Sequence, residues 1–437
     1  MSLHCPPPGL RRSPPAFGRE VPHAPLNQPP GCPLESDGRL PPPTDRPAVP
    51  TAPVIRIDVP GSFPWGVFHE RHPELVRQVL AARPYGPAER AAVEDLLAES
   101  TGGLLEPPGT GLHDRALWLA RGAGLWGRPW SEAPFLWAES WFHRRLLEAT
   151  GYFRPGPWQG IDPFAPFKDA ELAGEAVDGE LAALDGLADL PGEARARALL
   201  SSALWGNRAD LSFRMAAGTD GEAAADLVAD DSGPLLAELA RARGGTVCLI
   251  ADNAARELLP DLVLIDHLLA ADGANRVVLY VKPQPYFVSD ATMADVLAAV
   301  DRLRTAAGAA RVVGGRLWQA MESGALRVAT HPFFCAPLPY RDMPADLRGE
   351  LAGAALTVLK GDLNYRRLVD DRHWPPTTPF AEVAGHFPSP VAALRTLKSD
   401  VVTGLSQATV TRLDATRPAW RTAGTHALVQ VHVPPRP

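Results

Sequence analysis

The chain has 437 residues, 46% of them hydrophobic, and a net charge of −7 from 43 basic and 50 acidic residues. That length can bury a sizeable core in one or two domains, and the lack of any dense Lys/Arg block argues against nucleic acid or an anionic membrane as the main partner. No run of eighteen apolar residues occurs and the N-terminus has no apolar h-region, so no membrane span or secretory signal is expected and the location read is cytoplasmic. The four cysteines, Cys5, Cys32, Cys248 and Cys335, show no CxxC or CxxH spacing, as in a reduced protein.

In chain order, residues 1–53 contain 16 prolines and few large apolar residues. Such a composition cannot offset chain entropy by burial, so a disordered tail is expected. Residues 54–243 read as a helical N-terminal region, with apolar positions at helical spacing in Pro73–Ala82 and Glu180–Leu190. Trp126, Trp130, Trp137, Trp141 and Trp158 fall here, and an aromatic set of this kind is expected to be core. Residues 244–437 read as an α/β core: strands over Thr246–Ala251 and Val277–Val281 alternate with helices over Leu258–Ala270 and Met293–Thr305, the pattern of a mostly parallel sheet.

The chemistry concentrates where strands end. The strand beginning at Thr246 closes on Asp252 and Asn253 and passes at once into a helix, where an open parallel sheet presents side chains to its crevice. Asp and Asn also cap helices, and Asp290 or Ser289 can do the same after the next strand. Successive βα units lie side by side, however, so Asp252, Asn253 and Asp290 can converge on one ion, and three oxygen donors plus waters suit an octahedral divalent metal.

Two later segments add candidates. Lys360-Gly-Asp-Leu-Asn-Tyr-Arg366 reads as a turn after an apolar helix over Leu351–Leu359. Gly361 is then a helix stop, and Asp362, Asn364 and Arg366 are either turn residues or contacts to the hydroxyls and phosphate of a polar ligand. In Arg395-Thr-Leu-Lys398, Lys398 can neutralise a phosphoryl oxygen while Arg395 braces a neighbouring carboxylate or the ligand itself. No GxGxxG follows a strand, and GxxxxGK[ST], HExxH and GxSxG are all missing. The residues after Asp252 lack the second Asp that an aspartyl-phosphate phosphatase uses. His267, His331 and His373 are isolated and read as structural.

Taken together, these segments resemble the damage-control phosphatase family, specifically its subfamily III of sugar-phosphate phosphatases and acidic-residue methyltransferase-like proteins. The likeness runs in order through Trp137-Ala-Glu-Ser-Trp-Phe-His-Arg-Arg145, Asp162-Pro-Phe164, Leu204-Trp-Gly-Asn-Arg-Ala-Asp-Leu-Ser212, Ile250-Ala-Asp-Asn253, Phe287-Val-Ser-Asp290, Lys360–Arg366 and the RTxK signature Arg395–Lys398. The resemblance implies an α/β/α sandwich joined to the helical region, with a divalent metal (Mn, Co, Ni or Mg) held by Asp252, Asn253 and Asp290. It also implies a substrate pocket lined by Glu257, Asp362, Leu363, Asn364, Tyr365, Arg366 and Lys398. Where the family commonly has Gly, this chain has Ala255. The expected activity is metal-assisted hydrolysis of a small phosphomonoester, such as a fructose phosphate, with Asp252 or Asp290 handling the water and Lys398 stabilising charge. Rival readings are S-adenosylmethionine-dependent methyl transfer to protein carboxylates and a non-catalytic metabolite-binding role.

Overall fold

The computed structural model describes residues 52–188, 190–206, 227–270, 273–417 and 419–435. The proline-rich segment through Thr51 and the motif residues Asn207–Ser212 lie outside them. The described residues belong to one compact unit.

The described helices of seven residues or more are α1 (His72–Ala82), α2 (Pro87–Gly102), α3 (Arg115–Arg121), α4 (Phe135–Ala149), α5 (Ala165–Leu172), α6 (Glu175–Ala188), α7 (Gly192–Trp205), α8 (Ser232–Arg241), α9 (Ala255–Ala270), α10 (Met293–Thr305), α11 (Gly308–Ser323), α12 (Ala345–Ala352), α13 (Gly361–Leu368) and α14 (Gln407–Thr416). Seven strands, β1 (Leu227–Asp230), β2 (Thr246–Ile250), β3 (Arg276–Val281), β4 (Leu326–Thr330), β5 (Leu356–Lys360), β6 (Val391–Thr396) and β7 (Ala427–His432), form one sheet in the order β1-β7-β6-β5-β2-β3-β4. All neighbouring pairs are parallel except β6 with β7. Among the described residues no helix is long and apolar enough to cross a membrane.

Alternation along the strands sends side chains to two separate cores. In β2, Val247 and Leu249 face one core while Cys248 and Ile250 face the other, and β3 repeats this with Val277 and Leu279 against Val278 and Tyr280. One core takes α6, α7, α9, α10 and α11; the other takes the segments from Ile55 to Phe164, including Trp118, Trp130, Trp137 and Trp141, with Phe333 to Leu351. The result is the α/β/α sandwich. Of the tryptophans expected in the core, Trp130, Trp137 and Trp141 are buried there and Trp126 and Trp158 pack against it partly buried; the Trp118 and Trp141 ring centroids are 4.7 Å apart.

The helical segments before residue 244 are therefore layers of the sandwich, and they contribute a strand of their own. β1 pairs with β7 at the edge of the sheet; at four residues it is too short to show a period. The expected helix over Leu351–Leu359 is also corrected. Helix α12 ends at Ala352, capped by Gly353, and Leu356–Lys360 is β5, buried at every position between β2 and β6. A short apolar run buried on both faces has no period to separate strand from helix; the β-branched Thr357 and Val358 favour the strand. Gly361 accordingly opens α13 instead of ending a helix.

Candidate active site at the switch point

From β2 the chain proceeds outward to β3 and β4, then returns to the other side of β2 to form β5 and β6. The reversal leaves a crevice between the C-terminal ends of β2 and β5, the place where doubly wound sheets bind ligands. A small polar cleft lies there, lined among others by Asp252, Asn253, Glu257, Lys360, Asp362 and Lys398. A larger open groove beside α1 and α2 is floored by Val76, Leu80 and Leu97 and gathers no carboxylate cluster.

Backbone pairing brings the first candidates together. The Ala291 N–H donates to the Asp252 carbonyl at 2.8 Å, the Ala254 N–H donates to the Ser289 carbonyl at 2.7 Å, and Asn253 bridges Asp290. Asp252 and Asp290 are 8% and 4% exposed. Neither caps a helix: α10 is capped by Thr292 in a capping box with Asp295, and the Asn253 side chain receives the Ser289 hydroxyl at 2.7 Å while donating to Glu257 at 2.9 Å. Burial first, then the charge of Asp290 and Glu257, pushes the Asp252 carboxyl well above the usual carboxylate range, and burial also raises Asp290. Lys282, 1% exposed, partly offsets this with its Nζ 3.1 Å from Asp290 Oδ2. Among the described residues nothing donates a hydrogen bond to the Asp252 carboxylate.

The donor set fits a hard divalent cation. Two buried carboxylates repel each other, one has no donor among the described residues, and the Asn253 Oδ1 has a second lone pair beside the bond from Ser289. Among the described residues no group of three or more His, Cys, Asp or Glu side chains is arranged as a metal cage. Two carboxylates and an amide instead suit an ion that keeps waters and takes further oxygens from a phosphate.

The opposite wall comes from α13 and the end of β6. Burial would raise the Asp362 carboxyl, but Arg395, Arg366 and hydrogen bonds outweigh it and hold the group below its ordinary value. Asp362 accepts from Arg395 Nε at 2.8 Å and from the Lys398 backbone N–H at 3.1 Å. The Lys398 side chain, 45% exposed, reaches back to Glu257 Oε1 at 3.1 Å. Glu257 would likewise be raised by burial, yet Lys398 and Asn253 hold it low.

A family model for the damage-control phosphatase ARMT1-like domain matches residues 67–413. The chain belongs to that family. Relatives include damage-control phosphatase ARMT1 of Danio rerio, 32% identical over 340 residues that make up 70% of this chain and 75% of the relative, and the Mus musculus protein, 30% identical over 70% and 76%. The Homo sapiens relative is 28% identical over the same shares. A crystal structure of a DUF89 family protein from Pyrococcus horikoshii aligns with a TM-score of 0.46 and 16% identity, covering 78% of this chain and 96% of its own.

The remaining residues expected to line the family's pocket are placed mostly behind it. Asn364 is fully buried, donating to the Ala251 and Lys360 carbonyls at 3.1 and 2.8 Å and accepting from the Tyr340 hydroxyl at 2.8 Å. Tyr365 bonds Thr403 and Gln430, each at 3.0 Å. Leu363 packs with Leu136 and Tyr286. Arg366, 4% exposed, is occupied by Glu139 and Asp371. In this arrangement α13 presents Gly361 and Asp362 to the cleft and anchors itself through the rest. Of the two roles open to Arg395, bracing a carboxylate is the one its buried guanidinium performs.

Three contributors were missed from the sequence. Lys282 and Lys360 each close an apolar strand, a position that marks a crevice residue in this fold. Lys360 pairs with Asp261 at 2.8 Å on the cleft floor, where burial pushes the Asp261 carboxyl up to about 6. Gly361 approaches Asp252 so closely that no side chain fits between them.

Ala255 has φ +51°, a region that costs an L-residue roughly 1–2 kcal/mol. Ala255→Gly is therefore expected to stabilise the fold by about 1 kcal/mol, since relief of this strain outweighs the extra freedom glycine gives the unfolded chain. A higher urea midpoint with an unchanged slope would show it.

Proposed function

We propose that the protein is a divalent-metal-dependent phosphatase acting on small phosphomonoesters, with sugar phosphates such as fructose phosphates as the class to test first. The observation that supports this reading best is the Asp252 carboxylate, to which no described residue donates, beside buried Asp290 and facing Lys398 across a polar cleft. Membership of the damage-control phosphatase family points the same way.

Asp252, Asn253 and Asp290 would hold the metal. When bound, it would supply Lewis-acid polarisation of the phosphoryl oxygens and a lowered pKa for a coordinated water. Asp252, to which no described residue donates, would also orient a water in the cleft and accept its proton. Lys398, resting on Glu257 in the free protein, is exposed enough to turn to a phosphoryl oxygen and stabilise its charge. Asp362 fixes the Lys398 backbone through its N–H, and Arg395 keeps Asp362 ionised for that task.

The test is phosphate release from hexose and pentose phosphates with Mn, Co, Ni and Mg, beside a chelator control and Asp252→Ala. Release should require metal and fall at least about 100-fold in the variant, with the circular dichroism spectrum retained. Undiminished release in excess chelator would remove the metal from the reaction. Silence from folded protein across all metals would leave methyl transfer or metabolite binding as the readings to pursue.

A further inference from the structure

Helix α4 carries the motif Trp137–Arg145, and none of these residues lines the cleft. Two adjacent side chains of this helix nevertheless reach both walls of the site. Ser140, fully buried, receives the Tyr286 hydroxyl at 2.7 Å and donates to the Leu136 carbonyl at 2.7 Å. Tyr286 lies four residues before Asp290, on the loop that delivers that carboxylate. The next residue, Phe287, has φ +51°, which a bulky side chain adopts only when its surroundings enforce it. One turn along α4, the His143 ring stacks on Phe287 at 4.6 Å and 21°.

Glu139 points to the other wall. Its Oε2 accepts from Arg366 Nη1 at 2.7 Å, and Arg366 is closed on its other edge by Asp371 at 2.8 and 3.1 Å. Arg366 belongs to α13, one helical turn beyond Asp362, and its guanidinium lies over the Phe135 ring of α4 at 4.5 Å. Leu136, Tyr286 and Leu363 pack together between these two contacts. The Asp290 loop and the Asp362 helix lie on opposite sides of β2 in the sheet order, so their mutual placement is set through α4 as well as through the strands.

We propose that Glu139 and Ser140 are positioning residues: as neighbours on one rigid helix they fix the Asp290 loop and the Asp362 helix separately, and so set the span of the site between metal carboxylates and Lys398. The proposal rests on the metal-dependent reading above for its catalytic meaning, but its physical content is the restraint of one loop and one helix. Rigid support of this kind is what holds ligands at productive geometry.

The full chain with Ser140→Ala or Glu139→Gln decides it. In Ser140→Ala, amide hydrogen exchange should quicken across residues 286–291 and stay unchanged across 361–368; Glu139→Gln should show the reverse. Mn2+ affinity, read by electron paramagnetic resonance without substrate, should weaken about 10-fold in Ser140→Ala and hold within twofold in Glu139→Gln, whose effect falls on KM through Lys398. Ser140→Thr should restore both readouts. Tyr286→Phe, which keeps the ring, should reproduce Ser140→Ala and covers the case in which that variant does not fold. Unchanged exchange in both segments, or wild-type Mn2+ affinity in folded Ser140→Ala, would overturn the proposal. A wild-type chain that binds no Mn2+ would overturn the metal reading instead, and the exchange comparison would still decide the clamp.

Discussion

Gly361→Ala is expected to cut activity on the order of 100-fold by the addition of one methyl group. A Cβ built at this position falls 1.8 Å from Asp252 Oδ2 and 2.1 Å from its Cγ, less than any non-bonded contact allows. Either Asp252 swings away or the turn from β5 into α13 moves. The turn has little room to move: Gly361 has φ +81°, and the Asn364 amide ties α13 to the Ala251 and Lys360 carbonyls. The carboxylate is the softer of the two and should be displaced. A shift of about 1 Å in a reacting group costs on the order of 100-fold in rate, and the left-handed backbone adds roughly 1–2 kcal/mol of destabilisation. Phosphate release and Mn2+ affinity should fall together in a protein that still folds. Retention of both would mean that Asp252 is not held against Gly361 in the working enzyme.

The same contact shows why some of the site was legible in the sequence and some was not. Asp252, Asn253 and Asp290 end or follow apolar strands, so the periodicity that locates β2 and β3 also locates the acids, and adjacency of successive βα units brings them together. Gly361 had an equally strong local signal that pointed elsewhere. A glycine after an apolar stretch reads as a helix stop, and only the identity of that stretch as a central strand turns it into a strand-to-helix elbow. β5 is buried on both faces and therefore has no alternation to report. Arg366 and Asn364 illustrate a different gap. Polar side chains grouped on a turn have the composition of a ligand-binding loop, and whether they face the ligand or the protein depends on partners far away in sequence, such as Glu139, Asp371 and Tyr340. That Arg395 could brace a carboxylate was legible in its own motif; that the carboxylate is Asp362 was not, because the stretch before it read as a helix and not as β5, the strand beside β6.

That pairing gives the second large effect. Arg395→Met is expected to destabilise the fold by about 3–5 kcal/mol, the cost of leaving one member of a buried ion pair behind. The Arg395 side chain is fully buried; besides Asp362 at 2.7 Å it donates to the Ser399 carbonyl and hydroxyl and to the Val401 carbonyl, and it lies over the Tyr365 ring at 4.3 Å. Methionine fills much of the volume but satisfies none of those oxygens. Asp362 then keeps its burial without its main counter-charge, so its carboxyl should rise toward protonation and loosen its hold on the Lys398 N–H. Two readouts separate this role from direct phosphate binding. A ligand contact would raise KM and leave urea stability near wild type. A brace would lower stability first, and the double variant Asp362→Asn with Arg395→Met would be less destabilised than the sum of the two single changes, because removing the second charge relieves the burial penalty created by removing the first. Additive losses would show that Asp362 and Arg395 act independently, and Lys398 would then need some other support.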